Sequence, residues 1–270
     1  MNEIQVLVAT MDQRDYSKYS EMNLHTDAIL ANQSDFTKYE KCQIGDSCVE
    51  MITTTTHGVG LNRNIALFYS TGDILVVADD DMKYVDNYDQ IISMAFNEIP
   101  DADGIVFNIS TIGVNTGRRY NKKIRRIHFY NSLNYGAARL AIKRNSIVRE
   151  GITFNTNFGG GCIYSAGEDV IFITDMIKQG MKLYTYPETI GVVNQNSSTW
   201  FEGYTEKFFY DKGALYKKLM GKLGFLLCIY SMIRHHRIYR ESNIPLMRII
   251  RLMILGMNGV ERLERFGEQT

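Results

Sequence analysis

The sequence predicts an α/β fold: a doubly wound, largely parallel sheet flanked by helices, followed by a helical C-terminal extension. Three observations carry that expectation. Four short apolar runs in the first third alternate with helical patterns, polar clusters follow those runs, and beyond Trp200 the chain reads as helix nearly to its end. At 270 residues and 45% hydrophobic content, the chain is large enough for one α/β domain plus an appendage. The division is expected between residues 1–216 and 217–270.

The first run, IQVLVAT (4–10), is rich in β-branched residues, AILAN (28–32) is a second short apolar run, and VEMIT (49–53) and GDILVVAD (72–79) are the third and fourth. Between them, Gln13 to Leu24 and Leu61 to Tyr69 read as helices, the second after the flexible HGVG stretch. Alternation of this kind builds a parallel sheet, whose ligands gather at the carboxyl ends of its strands. The polar clusters Thr10–Gln13, Asn32–Asp35 and Asp79–Asp81 fall at those ends. From Gly104 the pattern is mixed. GIVFNIS (104–110) and AARLAIKR (137–144) look like strands, with a basic loop or hairpin between them. A turn at Gly159, Gly160 and Gly161 precedes a helix opening at Gly167-Glu168-Asp169, and LYTYP (183–187) is a further strand. There is no internal repeat.

Cys42, Cys48, Cys162 and Cys228 are widely spaced and form no C-x-x-C pair, which argues against zinc ribbons and disulfide scaffolds and for a reducing compartment. The start, MNEIQVLVATM, lacks the basic region and cleavage site of a signal peptide. No segment reaches the roughly 18–20 apolar residues of a membrane span. A cytoplasmic protein, peripheral at the inner face of the cell membrane, is the expectation. The net charge of zero conceals an uneven distribution. Basic residues cluster at Arg118, Arg119, Lys122, Lys123, Arg125 and Arg126, and again from Lys217 onward, which suggests an anionic partner. No nucleic-acid motif accompanies them, so nucleic acid is not an expected partner.

In the tail, LGFLLCIYSMI (223–233) is apolar all round but too short to span. After Pro245, helical spacing gathers Arg248, Arg251, Asn258, Arg262 and Arg265 on one face, with Leu252, Met253, Leu255 and Met257 on much of the rest. Such a stripe suits an anionic membrane surface. Packing on its own domain, or on a second subunit in a homo-oligomer, accounts for it equally well.

Four segments carry candidate chemistry. In VVADDDMKY, Asp79, Asp80 and Asp81 end a strand apolar enough to be central. Crowded like charges are costly unless a cation offsets them, and a divalent metal shared with a diphosphate would do so. A solvated acidic turn is the alternative. In GVGLNRN, Arg63 lies in a helix's first turn, where its charge opposes the dipole, so a phosphate or carboxylate partner is expected. Glu168 and Asp169 open a helix that would favour them in any case, with Gly160 and Gly161 upstream as a side-chain-free wall for a substrate. Trp200, the only tryptophan, suits stacking on a sugar face or plugging the domain against the C-terminal helices.

In their order and spacing these parts resemble family-2 glycosyltransferases of the GT-A fold, over about Ile4 to Tyr216, and among them bacterial enzymes building capsular or lipopolysaccharide sugars. The parts are VATM, AILANQSD, GLNRN, GDILVVADDD, the GED at 167–169 and STWF. The resemblance implies a donor nucleotide-diphosphate sugar and a glycan or lipid-linked oligosaccharide acceptor. It places Asp81 on Mn2+ or Mg2+, with Asp79 at the metal or the ribose and Asp80 beside them in the motif. Thr10, Asn32 and Gln33 would surround the nucleoside, and Arg63 would line its pocket. Asp169 would be the general base, with Glu168, Gly160, Gly161 and Trp200 toward the acceptor. Many members carry paired aspartates after the second strand, one of them on uracil. Here the turn reads Asn32-Gln33-Ser34-Asp35, so a UDP-sugar is the expected donor without that contact.

Rival readings fare less well. A nucleotidyltransferase would carry a glycine-rich phosphate loop after the first strand, yet residues 10–20 hold no glycine. A Rossmann dehydrogenase would show G-x-G-x-x-G there. A non-catalytic sugar- or partner-binding subunit would be expected to lose Asp79, Asp81 and Asp169, and all three are present.

Overall fold

A computed structural model describes residues 3–112, 120–194 and 203–267. The chain divides into two compact units, Met1–Asn157 with Glu168–Ser198, and Phe158–Gly167 with Thr199–Thr270.

The first unit begins β1 (Ile4–Met11), α1 (Ser17–Glu21), β2 (Asp27–Gln33), β3 (Lys38–Ile44), β4 (Ser47–Thr54), α2 (Val59–Tyr69) and β5 (Ile74–Asp79). It continues β6 (Met82–Tyr84), α3 (Tyr88–Glu98), β7 (Gly104–Ile112), β8 (Arg125–Arg126), β9 (Leu140–Lys143), α4 (Arg144–Glu150), α5 (Glu168–Lys178) and β10 (Leu183–Asn194). The strand order is β3-β4-β2-β1-β5-β9-β7-β10-β6, with β8 on β10. β4, β2, β1 and β5 run parallel, as the alternating pattern predicts, and so do β7 and β10. The sheet is nevertheless mixed, because β9 inserts antiparallel between β5 and β7.

Both faces of the central strands are buried, hence the near-continuous apolar runs. Val6, Val8, Val76 and Ala78 meet Tyr88, Ile92 and Phe96 of α3 on one face. Leu7, Ile29 and Leu75 pack with Ala66 of α2 on the other.

Three expectations need correction. The helix expected over Gln13 to Leu24 is confined to Ser17–Glu21. Asp12 takes a positive φ of 55°, the backbone of Gln13 is held by Asn32, and Asn23 at φ 56° ends the turn. AARLAIKR is not one strand: Ala137–Arg139 is a 3-10 turn, Leu140–Lys143 is β9, and α4 begins at Arg144. The edge strand β3 went unforeseen, since KYEKCQI is charged and mostly exposed.

The second unit carries α6 (Glu206–Met220), α7 (Gly224–Arg234), α8 (His236–Tyr239) and α9 (Leu246–Gly267), the helical tail expected beyond Trp200. Helix α6 runs through the expected boundary at 216–217. Ile249, Leu252, Met253 and Val260 of α9 are buried, and the backbones of α6 and α9 approach closely at glycines: a Cβ on Gly213 would overlap the Met253 carbonyl, and one on Gly256 the Tyr210 carbonyl. Part of the apolar surface of α9 is thus packed within its own unit, while Met247, Ile254 and Leu255 stay exposed beside the arginines. Arg248, Arg251 and Asn258 are exposed, and Arg248 donates two hydrogen bonds to Glu206, at 3.0 and 3.1 Å.

Candidate active site

The carboxyl ends of β1, β2 and β5 lie side by side, pairing Thr10 with Asn32 and Ala9 with Asp79. Helix α2 is pinned against this edge by its fourth residue, Asn62. Asn62 donates to the Thr10 carbonyl at 3.2 Å and to the Ala31 carbonyl at 2.8 Å. Asn64 clasps the backbone of Phe154, donating at 2.9 Å and accepting at 2.7 Å. Arg63 is thereby fixed between them and almost fully buried.

The Arg63 guanidinium joins three carboxylates from two elements distant in sequence. Its Nη2 donates to Asp79 at 2.6 Å, and its Nη1 to Asp169 at 2.5 Å and to Glu168 at 3.3 Å. The Phe154 ring centroid lies 5.3 Å from the guanidinium carbon. Burial alone would lower the arginine's pKa, but the charges of Asp169, Asp79 and Glu168 outweigh it and hold the cation firmly protonated. Burial pushes Glu168 up to about 7; the charge of Asp169 adds to this and that of Arg63 opposes it. Arg63 and Glu168 are the enclosed members of the network, whereas the Asp169 and Asp79 side chains, 27% and 42% exposed, reach solvent that screens their share of it. Arg63 was expected in a helix's first turn; α2 begins at Val59, so Arg63 is its fifth residue, and its partners are the carboxylates of Asp79, Glu168 and Asp169.

The other expected residues fall as follows. Thr10 donates to Asp80 at 2.6 Å, tying the end of β1 to the acidic turn. Asp81 is exposed. Asn32 is fully buried, and its two amide hydrogens go to the Gln13 carbonyl (3.0 Å) and to Thr53 (3.1 Å), while its oxygen accepts from the Gln13 amide. It shapes the turn and has no amide hydrogen left for a base. Gln33 donates to the Gly58 carbonyl at 3.2 Å. Gly160 and Gly161 belong to the second unit, in a turn where the Gly159 amide donates to the Tyr164 carbonyl at 2.8 Å. Trp200 lies outside the described residues. Phe154 went unforeseen: it stands 90 residues from the asparagine that clasps it, and nothing local marks it.

Among the described residues no three His, Cys, Asp or Glu side chains form a group that could hold a metal. The hard oxygens of Asp79 and the exposed Asp81 suit Mn2+ or Mg2+ only as part of a shared set, one or two carboxylates plus substrate phosphates.

Residues 26–158 match the family model described as glycosyl transferase family 2. The family-2 segment contains Arg63 and Asp79–Asp81, while Thr10, Glu168 and Asp169 fall outside it. Among solved structures, the chain is similar to residues 1–349 of S. aureus TarS in complex with UDP-GlcNAc, at a TM-score of 0.61 and 12% identity, covering 98% of this chain and 92% of that one. The same protein in complex with UDP gives a TM-score of 0.59 at 12% identity, covering 88% and 73%. At such identity the likeness is one of fold: a mixed α/β sheet followed by helices. No curated protein matches the sequence.

Proposed function

We propose that this chain is an inverting glycosyltransferase that moves a sugar from a nucleotide-diphosphate donor, a UDP-sugar first of all, to an acceptor hydroxyl. The observation that carries the reading is the Arg63 bridge, which joins Asp79 at the end of β5 to Glu168 and Asp169 at the start of α5. The family-2 segment supports the reaction class, and the TarS complexes with UDP-GlcNAc and UDP support the donor class.

In this reading Asp169 takes the proton of the acceptor hydroxyl as its oxygen attacks the anomeric carbon. The bond to the diphosphate breaks on the opposite face, the leaving oxygen keeps its electron pair, and a single displacement inverts the configuration. Arg63 holds and aims the base. Asp81, with Asp79, would hold Mn2+ or Mg2+, whose contribution is to neutralise charge on the diphosphate. Thr10 steadies Asp80 beside them. The acceptor is a glycan or lipid-linked oligosaccharide of bacterial surface-polysaccharide synthesis, made on the cytoplasmic side.

Calorimetric titration of UDP, GDP and TDP, with and without manganese, on wild type and Asp81→Ala tests the donor site. Manganese-dependent UDP binding that the substitution abolishes is the expected result. Binding of another nucleotide would correct the donor and keep the class. No binding by folded protein with metal present would favour a non-catalytic subunit.

A further inference from the structure

Helix α7 is built inside out. Its buried residues are small, Gly224, Cys228 and Ser231, and a Cβ on Gly224 would overlap the Tyr216 carbonyl of α6. At 100° per residue, Leu226, Ile229, Tyr230 and Ile233 fall on the opposite side. Leu226 is 57%, Tyr230 58% and Ile233 71% exposed. A helix serving only its own core would turn those side chains inward. A contiguous outward apolar face marks an interaction surface.

Charge says what the surface meets. Exposed Lys222 stands before the helix, exposed Arg234 ends it, and exposed Arg237 and Arg240 follow. No acidic residue occurs between Asp211 and Glu241. We propose that α7 lies on a membrane surface rich in anionic phospholipid, its apolar face at the acyl–headgroup boundary and these cations among the headgroups. A second copy docked face to face would set the same cations against one another. Eleven residues extend about 16 Å, roughly half the hydrocarbon thickness of a bilayer, so α7 rests on the membrane rather than crossing it. Among the described residues no helix is long and apolar enough to cross. The proposal is independent of the transfer reaction.

Co-sedimentation of the full chain with vesicles tests it, using mixed phosphatidylglycerol–phosphatidylcholine against phosphatidylcholine alone. Binding to the anionic vesicles is expected to fall with salt and to drop at least about tenfold in the Leu226→Glu/Ile233→Glu variant. Arg234→Glu/Arg237→Glu should weaken it as well, and all these positions are exposed enough to leave thermal unfolding unchanged. No binding to anionic vesicles, or equal binding by the Leu226→Glu/Ile233→Glu variant, would overturn the proposal. So would sedimentation equilibrium showing a dimer that this variant dissociates, which would give the face to a second copy.

Discussion

At the scale of the residue, one guanidinium organises the candidate site, and its electrostatics have a measurable consequence. Glu168 shares Arg63 with Asp169 and Asp79 and is buried, so its folded pKa rises from an ordinary 4.5 to about 7. Between those values the folded chain takes up a proton that the unfolded chain does not. The group therefore supports the fold below about pH 4.5, and that support is lost as pH rises through 7. Glu168→Gln removes the titration. Its stability relative to wild type should improve between pH 5 and pH 8, by a few kcal/mol at most, at about 1.4 kcal/mol per pKa unit. Melting curves of both proteins across that range check it; a difference independent of pH would place the proton elsewhere.

At the scale of the element, the small residues of the second unit decide how its helices meet. Alanine is ordinarily a better helix former than glycine by about 1 kcal/mol, so Gly213→Ala in α6 or Gly256→Ala in α9 would stabilise either helix alone. In the packed unit each new Cβ would meet a backbone carbonyl of the other helix, and the expected outcome is destabilisation by about 1–3 kcal/mol in urea unfolding. A neutral or stabilising result would mean the helices do not cross so closely. The elements also show what the sequence could reveal. β1, β2, β4, β5, β7 and α2 were legible because their apolar patterns follow the period of one element. β3 was not, because an exposed strand carries no apolar face. Nor was the insertion of β9 between β5 and β7, which is long-range pairing. At the site, Arg63 and the aspartates stood out through charge in unexpected places. The spending of both Asn32 amide hydrogens on Gln13 and Thr53 depends on how β1, β2 and β4 align, which no local pattern encodes.

At the scale of the whole molecule, the candidate site draws Arg63 from α2, Asp79 from β5 and Glu168 and Asp169 from α5, so it exists only when the first unit is folded. A ligand that binds this arrangement and not the unfolded chain must stabilise the fold, by about 2.7 kcal/mol at a hundredfold excess over its dissociation constant. For a unit of this size that is several degrees in melting temperature. UDP with manganese is therefore expected to raise the transition. Chelation of the metal and Asp81→Ala should each remove most of the shift. Asp169→Asn should keep the shift while losing roughly 10²–10⁴-fold in transfer rate, the contribution of a positioned general base. That combination separates holding the donor from activating the acceptor. A UDP-dependent shift that survives both chelation and Asp81→Ala would mean the nucleotide is held without the metal, and the three-aspartate turn would lose the role proposed for it.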